Sequence, residues 1–256
     1  MFKEESCNFY LLNVQKASSF ISDDLMVMSS STTIYETLIS AAKKSMDNVI
    51  LKIKDEYKNE KHQFHSIVDY DNLIDSINQI SKIHDIDLIV MGTKVSSGIE
   101  SVLFGSNTAH AMQQCNVPVL AIPKGCKFNG LEKVLFTTNH LSLHSKEEFK
   151  ILTYLKSLFG FELEVLHLKD ELNYPNEVLN NKVLFKKHFS NAIYTSIEVD
   201  NKNMFKKVNQ YIVDNRFDLF VMVRTKHSYM DRLLTRYPVE RFGLKIHKPF
   251  LVINKV

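Results

Sequence analysis

The sequence predicts an α/β protein built from parallel sheets, and two features of the 256-residue chain carry that prediction. Short apolar runs alternate with longer helical patterns, which is typical of βαβ units. The chain also repeats itself: Asp87-Leu-Ile-Val-Met91 recurs as Asp218-Leu-Phe-Val-Met222, and Val117-Pro-Val-Leu-Ala-Ile122 recurs as Lys248-Pro-Phe-Leu-Val-Ile253, in both cases 131 residues later. We therefore expect two tandem copies of one fold.

In the first half, strands are expected to alternate with helices. A continuous apolar run such as Leu88–Met91 is typical of a strand that is covered on both faces. Leu73, Ile77 and Ile80 recur at helical spacing and predict a buried stripe on one helix. The predicted strands are Cys7–Val14, Gln63–Val68, Leu88–Met91 and Val119–Ile122, and the predicted helices are Thr33–Asp55, Leu73–His84 and Asn107–Cys115.

The second half repeats this order and adds one strand and one helix at its start. The predicted strands are Val134–Thr137, Leu163–Leu168, Ile193–Ile197, Leu219–Met222 and Phe250–Ile253. The predicted helices are Lys146–Phe159, Glu177–Phe189, Met204–Asn215 and Tyr229–Phe242. Because a linker at 123–130 separates the copies, we expect domains at 1–124 and 131–256, the second with a five-stranded parallel sheet.

The first copy is expected to lack its first strand and helix. Phe9–Val14 resembles Leu163–Leu168 at an offset of 154, so the counterpart of the segment from 133 to 160 would precede residue 1. In a doubly wound domain that strand is central, and a sheet without it leaves backbone groups unpaired. Three explanations stay open. The sequence is truncated at its start, which we favour; a strand of another chain fills the gap; or the first half pairs differently.

Composition excludes several classes of protein. The net charge of +3 is too small to indicate nucleic-acid binding, and no basic tract is interleaved with aromatic residues. No apolar stretch approaches the roughly 20 residues that span a bilayer. The three cysteines form no CxxC pair and fit a reducing compartment, and the acidic start of the chain does not resemble a signal peptide. We expect a cytoplasmic protein that binds neither membrane nor nucleic acid.

Known catalytic and metal-binding motifs do not occur in the sequence. There is no GxSxG, HExxH, GxxxxGK[ST] or GxGxxG, so hydrolase, metalloprotease, P-loop and Rossmann dehydrogenase interpretations have no support. His140 and His144 have the spacing of metal ligands on a helix, but no third ligand accompanies them. The sequence therefore predicts no metal site and assigns no catalytic residue.

The segment from Asp87 to Asn107 is the strongest candidate for a binding site. It is predicted to be a buried strand, a glycine-bearing loop and a helix that opens at Gly105-Ser106. The free N–H groups at a helix N-terminus stabilise anions, so the segment is a phosphate-binding candidate. The alternative is an ordinary strand-to-helix loop with a serine cap. The local sequence alone slightly favours this alternative.

These landmarks resemble the universal stress protein family in its tandem two-domain form, over nearly the whole chain and most strongly from Asp87 to Lys124. The family's domain is a five-stranded parallel α/β sheet of the adenine-nucleotide α-hydrolase-like type. Its ATP-binding members carry Gly, two residues, Gly, nine residues and then Gly-Ser/Thr. Gly92, Gly105 and Ser106 fit that spacing. Val95 replaces the middle glycine, and a valine strongly disfavours the positive φ that glycine allows.

The resemblance implies that ATP or a related adenine nucleotide binds in the first half. The adenine would touch Val14, and the hydroxyls of Thr93, Ser96, Ser97 and Ser106 could bind phosphate despite Val95. The implied nucleotide-binding residues are Val14, Met91, Gly92, Thr93, Ser97, Gly105, Ser106 and Asn107. It further implies a role in stress response or signalling, contacts in a homodimer or an intrachain pseudo-dimer, and slow ATP hydrolysis at most.

The second half departs further from the family pattern, so we expect a degenerate copy. Asn139 stands where the family often has an acid, and the segment from Val223 to Arg232 contains no glycine. These departures, together with Val95, support an alternative function, a stress protein that binds no nucleotide and acts through protein–protein contacts. An adenylating or transferase enzyme on a related fold is a third alternative, the least favoured because no motif supplies its chemistry.

Overall fold

The computed structural model describes residues 1–15, 31–70, 72–95, 102–103, 105–138, 147–169, 183, 185–199, 204–224 and 248–254. The chain forms two compact units, Met1–Ile83 and His84–Val256. The predicted domain limits of 1–124 and 131–256 follow the sequence repeat instead, and they stay a prediction.

The first unit is a pair of parallel strands with two helices. Its elements are β1 (Cys7–Val14), α1 (Ser31–Tyr57), β2 (His62–Asp69) and α2 (Leu73–Ile83). β1 and β2 pair in parallel along their whole length, with Val14 opposite Asp69. Ala42, Met46 and Ile50 recur every four residues and form the buried face of α1.

The predicted stripe on α2 is correct at one position only. Ile77 is buried as expected, whereas Leu73 and Ile80 are half-buried. Ile74 and Ser81 are buried instead, and both lie on the face centred on Ile77. A helical period fixes the spacing of the buried residues, but the neighbouring elements decide which side of the helix they cover.

The second unit contains most of the strands. Its strands are β3 (Ile89–Gly92), β4 (Lys94–Val95), β5 (Val102–Leu103), β6 (Val119–Ile122), β7 (Lys133–Thr138), β8 (Glu162–Lys169), β9 (Ile193–Glu198), β10 (Leu219–Arg224) and β11 (Phe250–Asn254). Its helices are α3 (Ser106–Gln114), α4 (Lys150–Phe159) and α5 (Met204–Asn215). Seven strands form one sheet in the order β3-β6-β11-β10-β7-β8-β9, while β4 and β5 form a small antiparallel hairpin.

The predicted α/β fold is confirmed, and the second half has the expected five-stranded parallel sheet. β7 to β11 lie in the order β11-β10-β7-β8-β9, and each neighbouring pair is parallel. The chain first adds β8 and β9 on one side of β7, and then adds β10 and β11 on its other side. This change of direction makes the sheet doubly wound. Leu135, Phe136, Leu166 and Val221 are fully buried at its centre, as strands covered on both faces require.

Among the described residues of the first half, no strand corresponds to β7. β1 pairs with β2 and β3 pairs in parallel with β6, but no described strand links the two pairs. The repeat is nevertheless visible in individual hydrogen bonds. The Ile89 N–H donates to the Pro118 carbonyl at 2.9 Å, and, 131 residues later, the Phe220 N–H donates to the Pro249 carbonyl at 3.1 Å.

Most predicted boundaries are close to the observed ones. Strands Cys7–Val14 and Val119–Ile122 are observed as predicted, and so is helix Met204–Asn215. α4 begins at Lys150 rather than at position 146. The predicted helix at 229–242, most of the one at 177–189, and His140 and His144 lie outside the described residues.

Candidate functional site

The candidate site lies at the carboxyl end of β3 and the amino end of α3. Met91 and Gly92 end the strand. Thr93 follows, and it still bonds to the neighbouring strand, because its N–H donates to the Ile122 carbonyl at 3.0 Å. The hydroxyl of Thr108, a buried residue in the first turn of α3, donates to the Gly92 carbonyl at 2.9 Å. This bond holds the start of α3 against the end of β3.

Among the described residues, no side chain caps the amino end of α3. Gly105 is the N-cap, and no side chain makes a capping hydrogen bond, so the predicted serine cap is wrong. The first helical bond runs from the Ala109 N–H to the Gly105 carbonyl at 3.0 Å, which leaves the preceding N–H groups of the helix without an intrahelical acceptor. The first turn contains no acidic residue. An anion would therefore be stabilised at this end of the helix.

Thr93 carries a buried hydroxyl that has no hydrogen-bond partner in the part of the chain that the structure describes. The residue is 7% exposed, and its Oγ1 atom is shielded from solvent. A buried polar atom without a partner costs about 1–3 kcal/mol, so such atoms call for a specific explanation. Thr93 directly follows Gly92, whose carbonyl accepts from Thr108 in the first turn of α3, so a bound anion is one candidate partner for this hydroxyl.

Gly92 borders open space. A Cβ atom built on this glycine would meet no atom of another described residue within 4 Å. Positive φ occurs at other described glycines but not at Gly92. The backbone of the free protein therefore does not require glycine here, and the open space can receive a ligand close to the main chain.

The residue in place of the motif glycine lies in the β4–β5 hairpin. Val95 pairs with Val102, and Lys94 pairs with Leu103. Among the described non-glycine residues only Lys58, Asp85 and Arg216 have positive φ, so Val95 is not in the conformation that favours glycine. The extended hairpin explains how the chain accommodates a β-branched residue at this position.

Comparison with known proteins identifies the first half of the chain. Residues 2–123 match the model of the universal stress protein family. The first half of the chain is a member of that family. None of the curated proteins compared with the chain matches it.

Solved structures of universal stress proteins share the fold of both halves. A universal stress protein from Archaeoglobus fulgidus DSM 4304 superposes with a TM-score of 0.67 and 13% identity, over 97% of this chain and 88% of its own. A proposed universal stress protein from Pseudomonas aeruginosa UCBPP-PA14 has a TM-score of 0.61 and 9% identity, over 99% and 94%. A protein of unknown function from Pseudomonas aeruginosa PAO1 follows with a TM-score of 0.60 and 8% identity, over 99% and 94%. At these identities the likeness shows the fold alone.

Most of the residues predicted to bind nucleotide lie at the carboxyl end of β3 or at the amino end of α3. Met91 and Gly92 end β3 and Thr93 follows it, while Gly105 is the N-cap of α3 and Ser106 and Asn107 are its first residues. Val14 ends β1 in the first compact unit, and its contact with adenine stays a prediction. Ser97, like Ser96, lies outside the described residues.

Sequence reasoning did not identify Thr108 as part of this site. Its hydroxyl joins α3 to β3, yet its only local signal is that of a polar residue in the first turn of a helix, between the exposed Asn107 and the buried Ala109. A threonine in that position is common as a helix surface residue. Only the acceptor, the Gly92 carbonyl on another element, reveals its role.

In the second half of the chain, the described residues at the positions equivalent to Gly92 and Thr93 are different. At the repeat offset of 131, Val223 replaces Gly92 and Arg224 replaces Thr93. Val223 is buried, so the space next to the strand end is filled. Burial raises the pKa of the Cys115 thiol to about 11, and the positive charge of Arg224 partly opposes that shift. That the second half is a degenerate copy stays a prediction.

Neither a metal centre nor a membrane span is found within the described ranges. No three His, Cys, Asp or Glu residues there are grouped so as to hold a metal ion. None of the described helices has an 18-residue stretch that is apolar enough to cross a bilayer. Cys7, Cys115 and Cys126 are all free thiols.

Proposed function

We propose that this universal stress protein binds ATP or a related adenine nucleotide in its first half and acts in the response to stress. The observation that carries the proposal is the buried Thr93 hydroxyl without a described partner, one residue after the Gly92 carbonyl that binds α3, together with an amino end of α3 that no described side chain caps. A phosphate group bound there would accept from the hydroxyl and from the helix N–H groups together.

Each residue of the proposed site has a defined role. The N–H groups at the start of α3, contributed by Ser106 and Asn107, bind phosphate oxygens, and Thr93 donates one further hydrogen bond. Gly92 provides the space through which the phosphates approach the main chain. Met91, which is half-buried, borders the ribose. We assign no catalytic base, so slow ATP hydrolysis is the most that this site would support.

We further propose that the protein works in the cytoplasm and that its two halves form an intrachain pseudo-dimer. The free thiols of the described residues, including the half-exposed Cys7 and Cys126, support a reducing compartment. The antiparallel pairing of β6 with its own counterpart β11 supports the pseudo-dimer. A homodimer is the alternative arrangement of the same fold.

The second candidate function is that of a stress protein that acts through protein–protein contacts and binds no nucleotide. The observation that favours it is the β4–β5 hairpin, in which Val95 takes the place of the motif glycine. Val95→Gly separates the two functions. If the variant binds nucleotide and the parent does not, the natural chain has lost the site; if both bind, the α3 amino end and Thr93 are sufficient.

A titration of the intact protein with fluorescent ATP tests the proposal. We expect saturable binding, and we expect Thr93→Val to weaken it by about tenfold, because a hydrogen bond to a charged group contributes about 1.5–3 kcal/mol. Thr93→Ser should retain most of the affinity. Thr153→Val, at an exposed position of α4, is the matched control and should bind as the parent does. Absence of saturation at millimolar ATP would contradict the proposal.

The nucleotide content of the natively purified protein gives an independent measure. Denaturing mass spectrometry should release close to one adenine nucleotide per chain if the first half holds an occupied site. Release from the parent but not from Thr93→Val would connect the bound molecule to this hydroxyl. An empty protein that also fails to bind fluorescent ATP would favour the interaction function.

A further inference from the structure

The second half carries a row of polar side chains at the carboxyl ends of three neighbouring strands. Thr137 lies next to the last residue of β7, Arg224 ends β10 and Asn254 ends β11, and β10 lies between the other two strands. Met222 is the register partner of Thr137, and Arg224 is the register partner of Asn254. Because Met222 and Arg224 are two residues apart on one strand, all three polar side chains lie on the same face of the sheet.

Two atoms of this row are buried and have no hydrogen-bond partner in the part of the chain that the structure describes. One is the Oγ1 atom of Thr137, a residue that is 4% exposed. The other is the Oδ1 atom of Asn254, which is 3% exposed and whose Nδ2 donates to the Val117 carbonyl at 3.3 Å. Unpaired buried polar atoms cost free energy, so a ligand that pairs with them gains affinity.

Arg224, on the strand between these two residues, carries a positive charge that no described carboxylate neutralises. The ionisable group that this charge acts on is the Cys115 thiol, and because burial raises the pKa of the thiol to about 11, it is neutral near pH 7. Ion pairs among the described residues are made by other cations, namely Lys61, Lys133, Lys150 and Lys248. Arg224 is half-buried, so solvent screens its charge only in part, and an anion beside it would be stabilised.

The row lies where doubly wound sheets have a crevice that can receive a ligand. The chain adds β8 on one side of β7 and β10 on the other, so the crevice is expected outside the carboxyl ends of β7 and β10. Val223, the equivalent of Gly92, is buried and fills the space next to the main chain at the end of β10. A ligand smaller than a nucleotide is therefore expected here.

We propose that the carboxyl ends of β7, β10 and β11 form a second ligand site, which binds a small phosphate ester that carries a hydroxyl group. Arg224 donates two parallel hydrogen bonds to the phosphate, as its planar guanidinium group favours. The Thr137 hydroxyl donates a third bond to the phosphate, and the hydroxyl of the ligand donates to the Asn254 Oδ1 atom. This site does not depend on nucleotide binding in the first half.

Free phosphate has the same oxyanion chemistry, but the spacing of the row favours an ester. Thr137 and Asn254 lie two strands apart, which is about 10 Å across a sheet. A single phosphate ion is too small to contact both residues. A three-carbon ester such as glycerol 3-phosphate can place its phosphate near Thr137 and Arg224 and a hydroxyl near Asn254.

Isothermal titration calorimetry of the intact chain with glycerol 3-phosphate and with inorganic phosphate, at constant ionic strength, tests the site. We expect both to bind saturably and the ester to bind about fivefold more tightly, because it makes one more hydrogen bond. Thr137→Val removes a donor and keeps the shape, whereas Arg224→Lys keeps the charge and loses the planar fork. Each should weaken the binding of both compounds about tenfold. Asn254→Ala should remove the preference for the ester.

Thr153→Val, at an exposed position of α4, is the matched control for Thr137→Val and should bind both compounds as the parent does. Thermal unfolding without ligand shows whether each variant folds. Thr137→Val should keep the stability of the parent, because the hydroxyl that it removes has no described partner. This variant therefore tests the site even if Arg224→Lys does not fold.

The proposal is overturned if neither compound saturates the protein at millimolar concentration, or if Thr137→Val and Arg224→Lys both bind as tightly as the parent. It is also overturned if Thr93→Val abolishes binding and Thr137→Val does not, since the ligand would then lie in the first half. Equal affinities for the two compounds would identify free phosphate as the ligand and overturn the ester.

Discussion

Leu120 and Leu251 occupy equivalent positions in the two halves of the chain and are direct register partners in the β6–β11 pair. On either side, Ala121 pairs with Phe250 and Val119 pairs with Val252. This register is unchanged when the two strands exchange places, as in an isologous contact around a two-fold axis. The repeat in the sequence is thus accompanied by a local two-fold relation within one sheet.

Truncation at either leucine should destabilise the protein to a similar extent. Leu120 and Leu251 are both buried, so each Leu→Ala change should lower the free energy of unfolding by about 2–5 kcal/mol. The loss of free energy of unfolding in the double variant should differ from the sum of the two single losses, because side chains in contact do not behave additively. Urea unfolding followed by far-UV circular dichroism measures this. Ile193→Ala, at a half-exposed edge position, should change stability by about 0.5 kcal/mol or less.

The two equivalent aspartates should differ sharply in their contribution to stability. Asp218 accepts two backbone hydrogen bonds at the start of β7 and lies 3.7 Å from the Lys248 ammonium group, so Asp218→Ala should cost about 1–3 kcal/mol. Asp87 makes one exposed ion pair, so Asp87→Ala should cost about 1 kcal/mol or less. Equal losses in thermal unfolding would refute the assignment of different roles.

Gly92→Ala should separate a structural role of this glycine from a role in binding. The new Cβ meets no other atom within 4 Å, and Gly92 does not have positive φ, so the variant should be as stable as the parent or more stable by about 0.4–1 kcal/mol. Nucleotide affinity should nevertheless fall, because the methyl group occupies the space assigned to the phosphates. Gly160→Ala is the control: at φ +66 it should lower thermal stability without affecting binding.

Thr93→Val should likewise change stability and binding in opposite directions. The valine replaces a buried hydroxyl that has no described partner with an apolar group of similar shape, so the free protein should keep or gain stability. Nucleotide binding should weaken, because the phosphate loses a donor. Thermal unfolding with and without ATP measures both effects. A variant that loses stability in the absence of ligand would show that the hydroxyl has a protein partner instead.

Alkaline pH should destabilise the protein through Cys115. Burial raises the pKa of this thiol to about 11 from 9.0, so the folded state holds a proton that the unfolded state loses first. The stabilising contribution is complete below pH 9.0 and is lost as the pH rises toward about 11, a loss of up to about 3 kcal/mol. Urea unfolding at pH 8, 9 and 10 should show this slope in the parent and in Cys126→Ala. Cys115→Ala should flatten it.

The strands and the repeat could be predicted because their signals are local. Apolar runs such as Leu219–Met222 and helical spacing such as that of Met204–Asn215 depend on a few neighbouring residues, and the structure places these elements within a few residues of the expected positions. Gly105-Ser106 was correctly expected to open α3, because a glycine and a serine have recognisable preferences at helix starts.

What the sequence determined by itself is therefore the order and type of the elements, the internal repeat and the family of the first half. Tertiary structure decided the pairing of Leu120 with Leu251, the bond from Thr108 to Gly92, the hairpin at Val95 and the different surroundings of Asp87 and Asp218. Each of these joins residues on different elements. Their free energy depends on which surfaces meet after the chain folds, and no local pattern of side chains specifies that.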